Sequence, residues 1–222
     1  WTWAQAVGEA RRIAAFLQSL GIPKGANVAL LSKNCAHWLM TDYAIWLAGY
    51  VSVPLYPTLN AETVRQILEH SESKAIFVGK LDDWESMKAG IPKGLSTFCC
   101  SLSPASVQAD PKVAKWDDLI ARFAPLAGEP VRPGSDLATI IYTSGTTGMP
   151  KGVMHSFETM ASGAQSGLKR LTARSADRML SYLPLSHVAE RNAVENFSLQ
   201  CGFRIFFAES LETFARDMRT AR

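Results

Sequence analysis

The sequence predicts an α/β fold in which parallel or mixed sheets carry helices on both faces. Short apolar segments alternate with amphipathic ones in a β-α-β-α-β order, and Gly or Pro marks most of the junctions. Of the 222 residues, 47% are hydrophobic and 19% are charged, which is ordinary for a globular chain with a sizeable core. The formal net charge of +3 is too small to indicate a nucleic-acid partner.

The first half of the chain predicts a series of strands and helices. Thr2 and Gln5 have capping-box spacing at the start of a first helix, and Gly21 suits its end. Further segments are expected as strands at 27–31, 50–55, 75–78 and 97–100, and as helices at 35–49, 61–71, 81–89 and 116–123. The polar, proline-bearing segment 101–111 is expected to be a surface loop.

The second half begins after a proline-rich segment. We expect a first α/β subdomain at 1–124, a linker at 125–135, and a second α/β segment at 136–222. In this second segment we predict strands at 137–143, 179–183 and 204–207, and helices from about 157, at 189–199 and from 211.

Two features bear on cellular location. The most apolar stretch, 38–55, is too short and too interrupted by polar residues to predict a membrane-spanning helix. The four cysteines have no metal-ligand spacing, which favours a reduced cytoplasmic protein. Peripheral contact with a membrane stays open at this point.

A glycine-rich segment follows the strand predicted at 137–143. Residues 142–153 read YTSGTTGMPKGV. Its glycines allow close backbone approach to a ligand, successive N–H groups form an anion-binding nest, and Lys151 adds a positive charge. Because parallel strands deliver such loops to their carboxyl ends, where α/β proteins bind ligands, the segment predicts a polyphosphate site.

Two other interpretations of this segment were weighed. It is not a Walker A motif, because Met149 and Pro150 separate Gly148 from Lys151. A flexible surface turn would account for small polar residues alone. The fixed order of proline, lysine and glycine after an apolar strand favours the phosphate site.

The segment 143–153 closely resembles the signature loop of the adenylate-forming superfamily, which includes acyl-CoA synthetases, peptide-synthetase adenylation domains and beetle luciferases. The resemblance implies that the chain is part of the large N-terminal domain of such an enzyme, and that the loop holds the phosphates of ATP. The phosphate-binding residues implied are Thr143, Ser144, Gly145, Thr146, Thr147, Gly148 and Lys151. Thr143 is implied as the position nearest Mg²⁺, and Lys151 as a catalytic residue.

Three further segments are similar to the long-chain acyl-CoA synthetase branch: VPLYPTL at 53–59, LSYLPLSHVAER at 180–191 and FAESLETFARDMRT at 207–220. The resemblance implies a second catalytic residue, His187, beside the acyl-carrying pocket; an inert histidine at a strand-to-helix junction is the alternative. Glu190 and Arg191 can equally form a local ion pair at a helix start and are left outside the site.

The resemblance implies a long-chain fatty acid–CoA ligase that uses ATP, Mg²⁺ and coenzyme A. We find no aromatic-Gly-x-Thr-Glu segment, no Thr-Gly-Asp segment and no small C-terminal domain, so we expect the chain to be a fragment that is inactive alone. The alternatives are an adenylating enzyme for another carboxylic acid or a carrier-protein thiol, and a nucleotide-binding module without catalysis.

Overall fold

A computed structural model describes residues 1–143, 149–210 and 212–221. Its main feature is a seven-stranded mixed sheet, which confirms the predicted fold class. The strands are β1 (Asn27–Leu31), β2 (Val51–Leu55), β3 (Ala75–Val78), β4 (Ser96–Cys99), β5 (Ala114–Lys115), β6 (Leu137–Thr143) and β7 (Lys151–Ser156). Their order is β5-β4-β3-β1-β2-β6-β7. Neighbouring strands are parallel except for the antiparallel pair β6 and β7.

Helices cover both faces of this sheet. They are α1 (Trp3–Ser19), α2 (Ala36–Leu47), α3 (Ala61–His70), α4 (Ala105–Ala109) and α5 (Trp116–Arg122). One apolar cluster joins α1, α2 and α5 to the sheet, and a second joins α3 and α4 to its opposite face. The alternating side chains of β1 divide between the two, with Leu30 in the first cluster and Leu31 in the second, as strand geometry requires.

The remaining elements form a second, smaller layer. A two-stranded parallel sheet contains β8 (Arg178–Ser181) and β9 (Arg204–Phe207). Around it lie α6 (Phe157–Leu171), α7 (Val188–Glu190), a π-helical segment (Arg191–Asn196), α8 (Phe197–Cys201) and α9 (Phe214–Thr220). Ala164, Phe197 and Phe203 form its small core. The division of the chain at 125–135 stays a prediction; the strand that follows it, β6, pairs with β2 in the main sheet.

Local signals fixed several boundaries. Gln5 N donates to Thr2 Oγ1 at 3.2 Å and Thr2 N donates to Gln5 Oε1 at 2.8 Å, so the predicted capping box is confirmed. Gly21 has φ +66° just beyond α1, a conformation that glycine adopts without a Cβ penalty.

No helix in the described ranges is long and apolar enough to cross a bilayer.

Two secondary-structure predictions were wrong. The segment 81–89 is not a helix; only a short 3-10 turn, Lys88–Gly90, forms near its end. Asp82 pairs instead with Lys33, and Ala61 N donates to Ser86 O at 3.0 Å, so the segment is bound to its neighbours rather than to itself. Within the predicted surface loop at 101–111, α4 occupies five residues and buries Val107.

Candidate functional site

The predicted phosphate loop is closed by a β-hairpin. Thr143, the last residue of β6, is paired with Lys151, the first residue of β7. Both are exposed. Thr143 stands at the carboxyl end of β6, which runs parallel to β2, and the pairing places Lys151 beside that end. Thr143 and Lys151 are the implied phosphate-binding residues that the structure describes, and it brings them together. Ser144, Gly145, Thr146, Thr147 and Gly148 lie outside the described residues.

The hairpin is anchored to the sheet on one side of the loop. Gly152 lies opposite Tyr142, and a Cβ at Gly152 would come within 2.7 Å of Ile140 Cγ2. The Tyr142 hydroxyl lies 2.7 Å from His70 Nδ1 at the end of α3. Burial raises the pKa of Tyr142, so its hydroxyl stays protonated at neutral pH. These contacts fix the strand backbone on which Thr143 and Lys151 sit.

His187 lies at the start of α7, and its side chain is exposed. Its Nδ1 accepts a hydrogen bond from Ala189 N at 3.2 Å, which makes it the N-cap of this short helix. The structure does not place His187 among the residues of the hairpin. Its neighbour Val188, however, lines the same cavity as Ile141 of β6.

Asn34 holds the segment before His187 in place. Its Nδ2 donates to Ser181 Oγ at 2.8 Å and to Leu183 O at 2.6 Å. Its Oδ1 accepts from Leu185 N at 2.9 Å. Asn34 therefore ties the end of β1 in the main sheet to the turn that follows β8.

Glu190 and Arg191 do not form the local ion pair that the sequence allowed. Glu190 Oε1 accepts hydrogen bonds from Ser181 Oγ and Tyr182 N, each at 2.9 Å. Burial raises the pKa of Glu190, and these hydrogen bonds oppose that rise. Arg191 pairs instead with Asp42 and Glu195.

A cavity of about 130 Å³ lies beside the hairpin, between β6, β7, α6 and the π-helical segment. The residues that line it are Thr139, Ile141, His155, Thr159, Met160, Gly163, Val188, Arg191, Asn192 and Asn196. Burial lowers the pKa of His155, and the charge of Arg191 lowers it further, so the imidazole is neutral at pH 7.

Sequence reasoning missed the part of this cavity that His155 and Arg191 supply. His155 was not predicted as a site residue, and Arg191 was left outside the site. The signal that could have found His155 is its position two residues beyond the motif, on a strand that returns alongside β6.

A larger cavity of about 740 Å³ lies elsewhere, between the first two helices and β9. Trp3, Leu39, Tyr43 and Phe206 are among its lining residues. Of the predicted site residues that the structure describes, none lines it.

Acidic residues do not form a metal centre in this part of the molecule. Within residues 1–143, 149–210 and 212–221, no group of three or more His, Cys, Asp or Glu side chains could hold a metal ion. Thr143, the residue that the resemblance implied as nearest Mg²⁺, has its hydroxyl at the exposed end of β6.

Comparison with known proteins gives the family. The AMP-binding enzyme family matches residues 1–221. Long chain acyl-CoA synthetase 5 of Arabidopsis thaliana is 34% identical over 206 residues, which cover 86% of this chain and 31% of that protein. The long-chain-fatty-acid–CoA ligase FadD13 of Mycobacterium tuberculosis is 36% identical over 201 residues, covering 87% of this chain and 37% of that protein.

A solved structure agrees. The inhibitor-bound N-terminal domain of FACL13 from Mycobacterium tuberculosis superposes with a TM-score of 0.75 at 29% identity, over 98% of this chain and 53% of that one. The chain spans about a third of the length of the curated relatives that it matches. With a hairpin that presents Thr143 and Lys151 together and a family match along nearly its whole length, this chain belongs to the AMP-binding enzyme family.

Proposed function

We propose that the full-length protein is a long-chain fatty acid–CoA ligase, and that this chain supplies its phosphate-binding hairpin and part of its acyl site. ATP and the fatty acid would give an acyl-adenylate and pyrophosphate, and coenzyme A would then displace AMP. The observation that carries the proposal is the pairing of Thr143 with Lys151 at the mouth of the loop. The similarity to long-chain acyl-CoA synthetases and long-chain-fatty-acid–CoA ligases supports the choice of acid.

The first half-reaction brings a carboxylate to a triphosphate, so like charges must be neutralised. Lys151 is exposed at the start of β7. We propose that its ammonium group binds a phosphate held in the loop. A lysine acts there as a compact, mobile charge that follows the pyrophosphate as it leaves. Thr143 offers a hydroxyl on the facing strand. We propose the backbone N–H groups of the loop as the remaining donors.

Mg²⁺ is proposed as a cofactor on the chemistry of its ligands. This ion takes oxygen ligands and is commonly held by one or two protein oxygens together with substrate phosphates. One hydroxyl from Thr143 fits that arrangement, because phosphate oxygens would supply most of the coordination. Bound there, the ion would neutralise negative charge on the departing pyrophosphate.

The acyl group is assigned to the cavity beside the hairpin. That cavity combines apolar side chains such as Ile141 and Met160 with the neutral imidazole of His155. Its volume of about 130 Å³ is below the roughly 300–1,000 Å³ of pockets for drug-sized ligands. A long acyl chain would therefore have to extend beyond the described residues. The small volume favours a second candidate, an adenylating enzyme for a shorter or aryl acid.

ATP–pyrophosphate exchange by the full-length protein tests these candidates. Exchange would be measured with Mg²⁺ for acids from acetate to oleate, and again after chelation by EDTA. Mg²⁺-dependent exchange that rises with chain length would support the long-chain ligase. Exchange with short or aryl acids alone would favour the second candidate. No exchange with any acid, in a folded protein that still binds ATP, would indicate a nucleotide-binding module.

The acceptor thiol and the cellular location need separate experiments. Comparing coenzyme A with a phosphopantetheinyl carrier protein would distinguish a CoA ligase from a carrier-loading enzyme. We expect the 222-residue chain to be inactive alone, because it spans about a third of its relatives. A cytoplasmic location and peripheral membrane contact stay predictions, to be measured by cell fractionation.

A further inference from the structure

A buried arginine connects three elements around the proposed acyl cavity. Arg191 is 1% exposed and begins the π-helical segment. Its Nη2 pairs with Asp42 of α2, its Nε donates to Glu195 Oε2 at 2.8 Å, and its Nη1 donates to Thr139 Oγ1 of β6 at 2.6 Å. Three nitrogens of one guanidinium are therefore bound to three different elements.

The surroundings of Arg191 restrict it further. The guanidinium carbon lies 5.4 Å from the ring centroid of Trp38 and 5.3 Å from that of Trp46, both on α2. A planar guanidinium suits this place because it can stack on rings while its edge donates. Burying such a charge costs more than an apolar side chain of similar size would, so its presence suggests a role beyond stability.

Each end of the Arg191 network lies on a segment that carries a proposed site residue. Thr139 is on β6, the strand that ends at Thr143. Arg191 N donates to His187 O at 3.0 Å, so its backbone continues directly from the N-cap histidine. Thr139 and Arg191 also both line the cavity of about 130 Å³.

We propose that Arg191 is a positioning residue: it fixes the His187 segment against β6, and so sets the acyl carboxylate relative to the phosphates held by the hairpin. This proposal rests on the proposed function. Two observations carry it: a guanidinium that joins the two sides of the cavity, and a π-helical segment that starts at the same residue. Single π-helical turns occur frequently at functional sites.

Thr139 is the contact through which this role can be tested without removing a charge. Its Oγ1 accepts from Arg191 and donates to Ser52 O at 2.9 Å, so the hydroxyl links the guanidinium to the sheet. Thr139→Val removes the oxygen and keeps the shape, whereas Thr139→Ser keeps the oxygen. Arg191→Lys removes the fork that reaches three partners.

Arg132 provides a matched control. It pairs with Asp136 at 2.9 Å, its guanidinium carbon lies 5.0 Å from the Phe157 ring centroid, and its Nη1 donates to Trp46 O at 3.3 Å. It therefore resembles Arg191 in its contacts and binds the same helix α2. It does not line the cavity.

The test is steady-state ATP–pyrophosphate exchange by the full-length protein, with thermal unfolding of each variant. In Thr139→Val and Arg191→Lys we expect kcat to fall by about 10²-fold, as a displacement of about 1 Å can cause, with KM for ATP unchanged. Thr139→Ser, which keeps the hydroxyl, should have the wild-type kcat. Arg132→Lys should lower the melting temperature and leave kcat and KM at the wild-type values.

Two outcomes would overturn the proposal. One is a folded Thr139→Val protein with wild-type kcat. The other is an Arg132→Lys protein that loses as much kcat as Thr139→Val, because then any loosening around α2 would suffice. The wild-type exchange measured in the same series separates these results from a failure of the proposed function, which would abolish exchange before any substitution.

Discussion

Lys151 lies directly across the β6–β7 hairpin from Thr143, so the proposed phosphate loop begins and ends on paired strand residues. Opposite residues in an antiparallel pair have Cα atoms about 4.5–5.5 Å apart. The hydroxyl and the ammonium group therefore start from neighbouring positions on a rigid base. Such a base orients charged groups before substrate binds, which is what electrostatic catalysis requires.

Removing the ammonium group should impair adenylation without unfolding the protein. In Lys151→Ala we expect exchange to fall by about 10²–10³-fold, the usual cost of losing one preorganised donor to developing charge. Because Lys151 is exposed, its truncation leaves no cavity. Exchange kinetics and thermal unfolding of the full-length variant give both quantities.

Lys115 supplies the control for this substitution. It lies on β5, at the opposite edge of the seven-stranded sheet. Lys115→Ala should leave exchange unchanged. Wild-type exchange in a folded Lys151→Ala protein would remove Lys151 from the site.

The two proposed roles of His187 can be separated by comparing two substitutions. Asparagine is a good N-cap residue, so His187→Asn should keep the cap of α7, whereas His187→Ala should lose it at a cost of about 0.5–2 kcal/mol. If the imidazole also shapes the acyl site, both variants should raise KM for the acid by about tenfold, or 1.4 kcal/mol. Urea unfolding and exchange kinetics measure the two effects.

The interpretation of His187 as an inert junction residue makes a different prediction. Under it, His187→Asn would match the wild type in both stability and KM. That result would assign the histidine to helix capping alone.

Apolar runs made the buried strands predictable. β1, β3, β6 and β9 were placed at the bounds that the structure has, because each is short, apolar and followed by a turn signal. β7 was missed. Burial does not alternate regularly along its six residues, and Met154 is 67% exposed. The strand therefore lacks the period of two that marks a half-buried strand.

The site was predictable only where chemistry is concentrated in sequence. Thr143 and Lys151 stand within nine residues of each other, so a local pattern was enough. The Arg191 network joins residues 42, 139, 191 and 195, and no local pattern connects a helix, a strand and a π-helical segment so far apart in sequence. A lone buried arginine is also indistinguishable in sequence from an exposed one.

Gly152 should be intolerant of any side chain. A Cβ there would lie 2.7 Å from Ile140 Cγ2 and 3.3 Å from Tyr142 Cζ, so either β7 or these side chains must shift. We expect Gly152→Ala to lower the free energy of unfolding by about 1–3 kcal/mol, the usual cost of overpacking. Urea unfolding measures this change.

Gly8 provides the contrasting case. It lies inside α1, and a Cβ there would meet no atom within 4 Å. Gly8→Ala should raise the free energy of unfolding by about 0.5–1 kcal/mol, because alanine is the better helix former. Equal stability of the two variants would contradict the close packing described for the hairpin.

The contribution of Glu195 to the free energy of unfolding should decrease as pH rises above the acid range. Burial raises the pKa of Glu195 well above its usual value, the charge of Asp42 raises it further, and Arg191 opposes both. Asp42 Oδ1 and Glu195 Oε1 are both buried without a hydrogen-bond partner in the described part of the chain, which suits a protonated Glu195. The folded protein then holds a proton that the unfolded chain releases above a pH of about 4.3. The contribution of this bound proton to the free energy of unfolding is complete below that pH and is lost as pH rises through the pKa of Glu195 in the folded protein.

Glu195→Gln is neutral at every pH and isolates this contribution. The free energy of unfolding of the wild type, minus that of Glu195→Gln, should decrease from pH 5 to pH 8 by up to about 1.4 kcal/mol per pH unit. Subtraction removes the effect of other groups, including His155. Glu62→Gln, at an exposed position of α3, controls for loss of a surface glutamate. A difference that stays constant across this range would mean that Glu195 is ionised in the folded protein, where its charge would be neutralised by Arg191.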